Sequence, residues 1–286
     1  MTQQPLTSLE KVAISICNQL DVILGRTLGA GAHKHVFLIN QAGTNLALKI
    51  APVSATLKSR FERESQALLD CHHPAIASLK YVKSYVFDGE EYWVTIEEFL
   101  AGGTLRDRMV HGPMPVPQLR HIGTVLADAL VHLHERGLVH RDIKPENILF
   151  RDENEPVLTD FGIVRVLGEL SLTQDFMAQG PGTPLYSAPE QLLNDKASID
   201  WRTDQFDLAL VLVECVLGHH AFFQNGLSRR DAILAVANRA SLPRETEVKL
   251  ECMRLGCLIK ALAPWPVQRY RWPEEFIKAL STEPSD

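Results

Sequence analysis

Asp142, Lys144 and Asn147 crowd into VHRDIKPENILF (139–150), and Asp160 follows in LTDFGI (158–163). A carboxylate, an ammonium, an amide and a second carboxylate, set between short apolar runs, suit phosphoryl transfer. One carboxylate can accept the proton of an attacking hydroxyl, and the ammonium can offset charge developing on the phosphoryl group. The amide and the other carboxylate supply hard oxygen ligands for Mg²⁺. Upstream, LGAGAHKHVF (28–37) has two glycines two apart, as at the start of a phosphate-cradling loop, with Lys34 where a third glycine would be expected. Alone this stretch reads equally well as a turn; beside the other two segments it becomes part of a set.

The elements that must position these residues are of two kinds. Over the first hundred residues the pattern alternates as in strands, with candidates at Val22–Thr27, Val36–Ile39, Leu46–Ile50, Val82–Phe87 and Tyr92–Phe99. The last two flank the Asp88-Gly89 turn, a strong hairpin signal. Between them a helix is expected over Thr56–Leu69, with Leu57, Phe61, Glu64 and Leu68 on one face. Glu64 on that apolar face asks for a cation, because an unpaired buried carboxylate is costly. From residue 104 onward helices dominate. Leu119, Ile122, Leu126 and Leu133 keep helical spacing, with Gly137 placed to stop the helix. Further helices are expected near 188–193, 204–217, 228–239, 246–262 and 273–280. Phe206–Gly218 is the most apolar run; it is too short to span a bilayer and reads as a helix buried on most sides.

Composition excludes several classes. The net charge of −6 speaks against a nucleic-acid surface. Five scattered cysteines, an odd number, fit a reducing cytoplasmic setting better than a disulfide framework. The N-terminal residues lack the pattern of a signal peptide, and no membrane segment is expected. His33 and His35 could share a strand face, but no carboxylate or cysteine nearby completes a metal site.

Together the segments resemble the eukaryotic-like serine/threonine protein kinase family, in the style of its bacterial members, over about residues 22–280. The resemblance implies an α+β, bilobal fold. A small antiparallel β lobe with one helix (about 22–99) would lead through a hinge (98–103) to a larger helical lobe (about 104–280). Residues 1–21 would be an N-terminal extension and 281–286 a tail. It further implies transfer of the γ-phosphoryl group of ATP, with Mg²⁺, to a serine or threonine hydroxyl of a protein.

On the same resemblance Asp142 is the base, Arg141 its neighbour that reads an activation-segment phosphate, and Lys144 the lysine typical of serine/threonine kinases. Asn147 and Asp160 would hold the metal. GTPLYSAPEQ (182–191) resembles the end of the activation segment, with Thr183 at the substrate pocket and Glu190 paired with Arg269. Ser171 and Thr173 are the candidates for autophosphorylation. Asp204 resembles the aspartate that opens the buried central helix. Leu28, Gly29, Ala30, Gly31, Ala32, His33, Lys34, His35 and Val36 would form the nucleotide loop, with Lys34 tolerated and adding a cation near the phosphates. Ala47 and Lys49 lie on the strand bearing the phosphate-binding lysine, and Lys49 is the cation that Glu64 requires. In TIEEFLAGGTL (95–105) the backbone of Glu98 and Leu100 would meet the adenine. The gatekeeper position, usually apolar or threonine, falls to Glu97, or to Ile96 after a one-residue slip. A glutamate there must be paired, protonated or turned aside.

Overall fold

The computed structural model describes residues 8–30, 34–53, 69–160, 184–224, 226 and 228–282. The chain divides into two compact units. One comprises the chain before His73 together with Ala77–Leu100; the other comprises His73–Ile76 and most of the chain from Ala101 onward.

The first unit contains helix α1 (Ser8–Leu20) and strands β1 (Ile23–Ala30), β2 (His35–Gln41), β3 (Thr44–Pro52), β4 (Leu79–Phe87) and β5 (Glu90–Glu98). The strands form one antiparallel sheet in the order β1-β2-β3-β5-β4. Strand parity sorts its two faces. Phe37, Ile39, Leu46, Leu48, Ile50, Tyr92, Val94 and Ile96 share a core with Val12, Ala13, Ile16 and Cys17 of α1. The helix is also tied to the sheet by a 2.8 Å hydrogen bond between Ser15 and Tyr85 hydroxyls. Residues 8–20, expected as part of an extension, are thus a packed layer on the sheet. Their apolar positions recur at Leu9, Val12, Ala13, Ile16, Cys17 and Leu20, a helical period legible in the sequence. Truncating a buried aliphatic side chain loses its burial and leaves a cavity. Ile16→Ala is therefore expected to destabilise the protein by about 2–5 kcal/mol, read as a lower urea midpoint at unchanged slope.

The second unit is mainly helical: α2 (Leu105–Met109), α3 (Val116–Glu135), α4 (Pro189–Leu192), α5 (Trp201–Leu217), α6 (Arg229–Ala237), α7 (Arg244–Cys252), α8 (Gly256–Ala261) and α9 (Pro273–Ser281), with a short ribbon of β6 (Ile148–Phe150) and β7 (Pro156–Leu158). Helix α3 ends as expected at Gly137. Its φ of 66° lets Gly137 and Leu138 donate back to the carbonyls of His134 and Leu133. Helix α5 is the buried run, but it starts three residues before Asp204, with Asp200 as its N-cap accepting from the Arg202 N–H at 2.8 Å. Asp204 consequently lies in the first turn rather than at the cap.

The single helix expected over 246–262 is replaced by α7 and α8. Between them Arg254 takes a φ of 56°, while Arg254 and Leu255 donate to the carbonyls of Glu251 and Leu250. This is the same closing geometry as at Gly137, with an arginine in place of the glycine that would have marked it. The expected helix over Thr56–Leu69 lies almost wholly outside the described residues. Among the described residues no helix is long and apolar enough to cross a membrane.

Candidate functional site

The residues singled out by chemistry fall into two groups, one in each unit. In the helical unit the group is built on the backbone of 140–147. Asp204, buried in α5, accepts the N–H of His140 at 2.7 Å and of Arg141 at 2.8 Å. The Arg141 carbonyl accepts from the Gln191 side chain at 2.8 Å. These bonds hold Arg141 at a φ of 64°, a conformation costly for a residue with a Cβ. The chain is thereby turned so that Asp142 Oδ2 accepts from Lys144 Nζ and Asn147 Nδ2, both at 2.8 Å. Asn147 Nδ2 also donates to the Asp142 carbonyl at 2.9 Å, which orients the amide and leaves Oδ1 as its side-chain acceptor.

The β6–β7 ribbon then explains how residues far apart in sequence become neighbours. Ile148 pairs with Leu158, and the Thr159 N–H donates to the Asn147 carbonyl at 2.9 Å. Asn147 and Asp160 therefore emerge at the same end of the ribbon. Asp160 also has a left-handed backbone, with φ 60°. At the other end Gly102 N–H donates to the Phe150 carbonyl at 2.9 Å, and a Cβ on Gly102 would lie 2.6 Å from that oxygen. Only glycine permits this approach.

Around this loop lies a buried polar network that residue spacing did not reveal. His140 donates from Nε2 to the Thr159 carbonyl at 3.0 Å and accepts the Asp142 N–H on Nδ1. His220 repeats the arrangement with the Leu185 carbonyl and the Phe222 N–H. Each ring is the neutral Nε2–H tautomer, because a proton on Nδ1 would face an N–H. Asp207 accepts the Ala188 N–H at 2.9 Å, fastening the SAPE stretch to α5. Arg106 bonds Glu146 at 2.8 Å, Glu214 at 3.0 Å and the Tyr186 hydroxyl, joining α2, the turn before β6 and α5.

Burial depresses both histidines to about 4. The unfolded chain would bind these two protons below roughly pH 6.5, whereas the folded chain resists them. Their contribution, up to about 3 kcal/mol each, is complete above that value and is lost as pH falls toward 4. Asp204 opposes them, since burial raises its carboxyl to about 7 against the pull of its two N–H donors; that is one proton against two. Net stability is therefore expected to fall between pH 6.5 and 4. Urea titrations across that window should show the loss, and replacing His220 by glutamine should flatten the slope.

Glu190 and Arg269, which the resemblance pairs, meet at 2.7 and 3.0 Å with both side chains fully buried. Thr203 Oγ1 donates to the same carboxylate at 2.9 Å, and the guanidinium also donates to the carbonyls of Ala263 and Arg202.

In the sheet unit, β1 and β2 are the two arms of the glycine-containing segment. Gly29 pairs with Val36 and Ala30 with His35, so Leu28–Val36 joins two antiparallel strands. Gly31, Ala32 and His33 lie outside the described residues, and Lys34 directly precedes β2. Among the described residues no atom lies within 4 Å of a Cβ built at Gly29. Across the sheet Val36 stands opposite Lys49, Lys49 opposite Thr95, and Ala47 opposite Glu97. These residues share the face away from α1, whereas Ile96 packs into the α1 core. Glu97, not Ile96, therefore shares a face with Lys49, and its carboxylate accepts a hydrogen bond from Lys49 Nζ. The Glu98 N–H donates to the Ser78 carbonyl at 3.1 Å and so is engaged within this unit. Glu64, Ser171, Thr173 and Thr183 lie outside the described residues.

Residues 22–275 match the family described as the protein kinase domain. Among similar proteins, serine/threonine-protein kinase PknF of Mycobacterium tuberculosis is 34% identical over 271 residues, which is 89% of this chain and 54% of PknF. Serine/threonine-protein kinase PknB of Mycobacterium leprae is 31% identical, over 88% of this chain and 41% of PknB. A probable serine/threonine-protein kinase PknB of Bifidobacterium longum is 29% identical, over 90% of this chain and 38% of its own length. The chain thus spans about half the length, or less, of these curated relatives.

Proposed function

Because the chain belongs to the protein kinase family, of the eukaryotic-like serine/threonine type, we propose that it is an active kinase that transfers the γ-phosphoryl group of ATP to serine or threonine hydroxyls of proteins. The observation that carries this is the clamped loop: Asp142 is presented by a strained backbone and flanked by Lys144 and Asn147. A loop serving only as a connection has no need of that strain.

In this reading Asp142 orients the substrate hydroxyl and takes its proton, and Lys144 offsets charge on the transferring group. Lys49 and the backbone around Gly29 hold the phosphates. The family uses ATP with a divalent metal; when bound, such a metal neutralises phosphate charge. Asn147 Oδ1 and the Asp160 carboxylate are hard oxygen donors at one ribbon end, and their chemistry favours Mg²⁺. Among the described residues no three His, Cys, Asp or Glu side chains converge as a metal site.

We place autophosphorylation at Thr173 or Ser171, read by Arg141, and the scatter of cysteines supports a cytoplasmic setting. The test is incubation with labelled ATP, with and without magnesium, beside a generic protein substrate, followed by mass spectrometry. Metal-dependent label on serine or threonine is the expected result. Nucleotide binding without transfer under any metal would instead indicate a kinase-fold scaffold, and label confined to an aminoglycoside would indicate a small-molecule phosphotransferase.

A further inference from the structure

The sheet carries a feature that the general kinase reading does not require. Glu97 is a carboxylate only 7% exposed, in a strand whose neighbours are mostly buried. An unpartnered carboxylate there would be costly, and the group facing it is the Lys49 ammonium. The two are diagonal neighbours. Thr95 stands directly across from Lys49, and Glu97 lies two residues further along β5 on the same face. Long side chains span such a diagonal, whereas the short Thr95 does not. The lysine side chain is itself only 11% exposed, so the pair is shielded from the screening that weakens surface ion pairs.

We propose that Glu97 is a positioning residue for Lys49. It holds the ammonium from β5, so the contact is built from two hydrogen-bonded strands of one sheet. An ammonium has three N–H donors, so Lys49 can be held by a carboxylate and still be a group that contacts other oxygens. The apolar or threonine side chain usual at this position has no carboxylate to offer. The proposal deepens the kinase reading and rests on it only for what Lys49 binds; the pairing stands on the sheet alone.

The experiment compares the full chain with Glu97→Gln and Glu97→Asp, each checked for folding by thermal melting. Lys49 acetylation by dilute acetic anhydride is followed by mass spectrometry in the absence of nucleotide. Steady-state transfer is measured in parallel. Removing the carboxylate's charge is expected to raise Lys49 labelling about three- to tenfold, with the aspartate variant intermediate because its reach is one methylene shorter. Transfer by Glu97→Gln is expected to fall about tenfold in kcat with a smaller change in KM for ATP, the mark of lost transition-state positioning rather than lost binding. Equal labelling in the folded variants and the wild type overturns the proposal whatever the kinetics. If the glutamine variant does not fold, the aspartate variant against wild type decides. Absence of transfer by the wild type would overturn the kinase reading, while the labelling would still decide the pairing.

Discussion

Replacing Asp142 with asparagine is expected to lower the phosphoryl-transfer rate by about 10²–10⁴-fold while leaving nucleotide affinity and melting temperature nearly unchanged. The change is isosteric, so the backbone clamp from Asp204 to His140 and Arg141 stays in place. What is lost is a carboxylate able to take a proton. Oδ2 now accepts from both Lys144 and Asn147, and an amide can meet those donors with only its one oxygen. On the proposed assignment the loss falls on kcat and kcat/KM together, because a general base acts only as the hydroxyl is being deprotonated. Single-turnover transfer and titration with a fluorescent ATP analogue measure the two quantities separately. A fall of less than threefold would remove Asp142 from the role of base.

The second large effect concerns folding. Arg269→Ala is expected to cost about 3–5 kcal/mol, because it leaves Glu190 as a fully buried carboxylate without its cation. Thr203 would remain as a donor to Glu190, but one hydroxyl does not replace a bidentate guanidinium. The carbonyls of Ala263 and Arg202 would also lose a donor. Replacing both partners, Glu190→Leu with Arg269→Met, should cost less than the sum of the single changes, since it removes the uncompensated charge. Urea denaturation of the four proteins gives the cycle directly. Strict additivity would show that the pair is not coupled and that its burial is incidental.

These two effects differ in how they could be seen beforehand. Asp142 was legible from residue types at close spacing. Its link to Asp160 was legible only as a pattern until the β6–β7 register placed Asn147 and Asp160 at one ribbon end. The Glu190–Arg269 pair spans 79 positions and rested on family resemblance, because no local period connects the two. Where local chemistry marks an element end, as at Gly137, the expectation held. Where an arginine takes the left-handed backbone, as at Arg254, no residue type announced the break. Helix α1 had its period in the sequence, but its importance lies in the sheet face it covers, which no short window contains.

The gatekeeper question shows the same division. Ile96 and Glu97 are adjacent in a strand, so one of them must face Lys49 and the other the opposite side. Nothing in their types fixes which, since both faces of the sheet are buried around them. The pairing of Lys49 with Thr95 decides it, and that register is a property of two strands 46 residues apart. The sequence by itself determined the family and the residues proposed for catalysis, because these rest on residue identity and short-range spacing. Tertiary structure alone decided that Glu97 meets Lys49, that Asp204 strains the backbone of Arg141, and that His140 and His220 are buried neutral. Each of these depends on which distant backbone or carboxylate a polar group finds once water has been excluded.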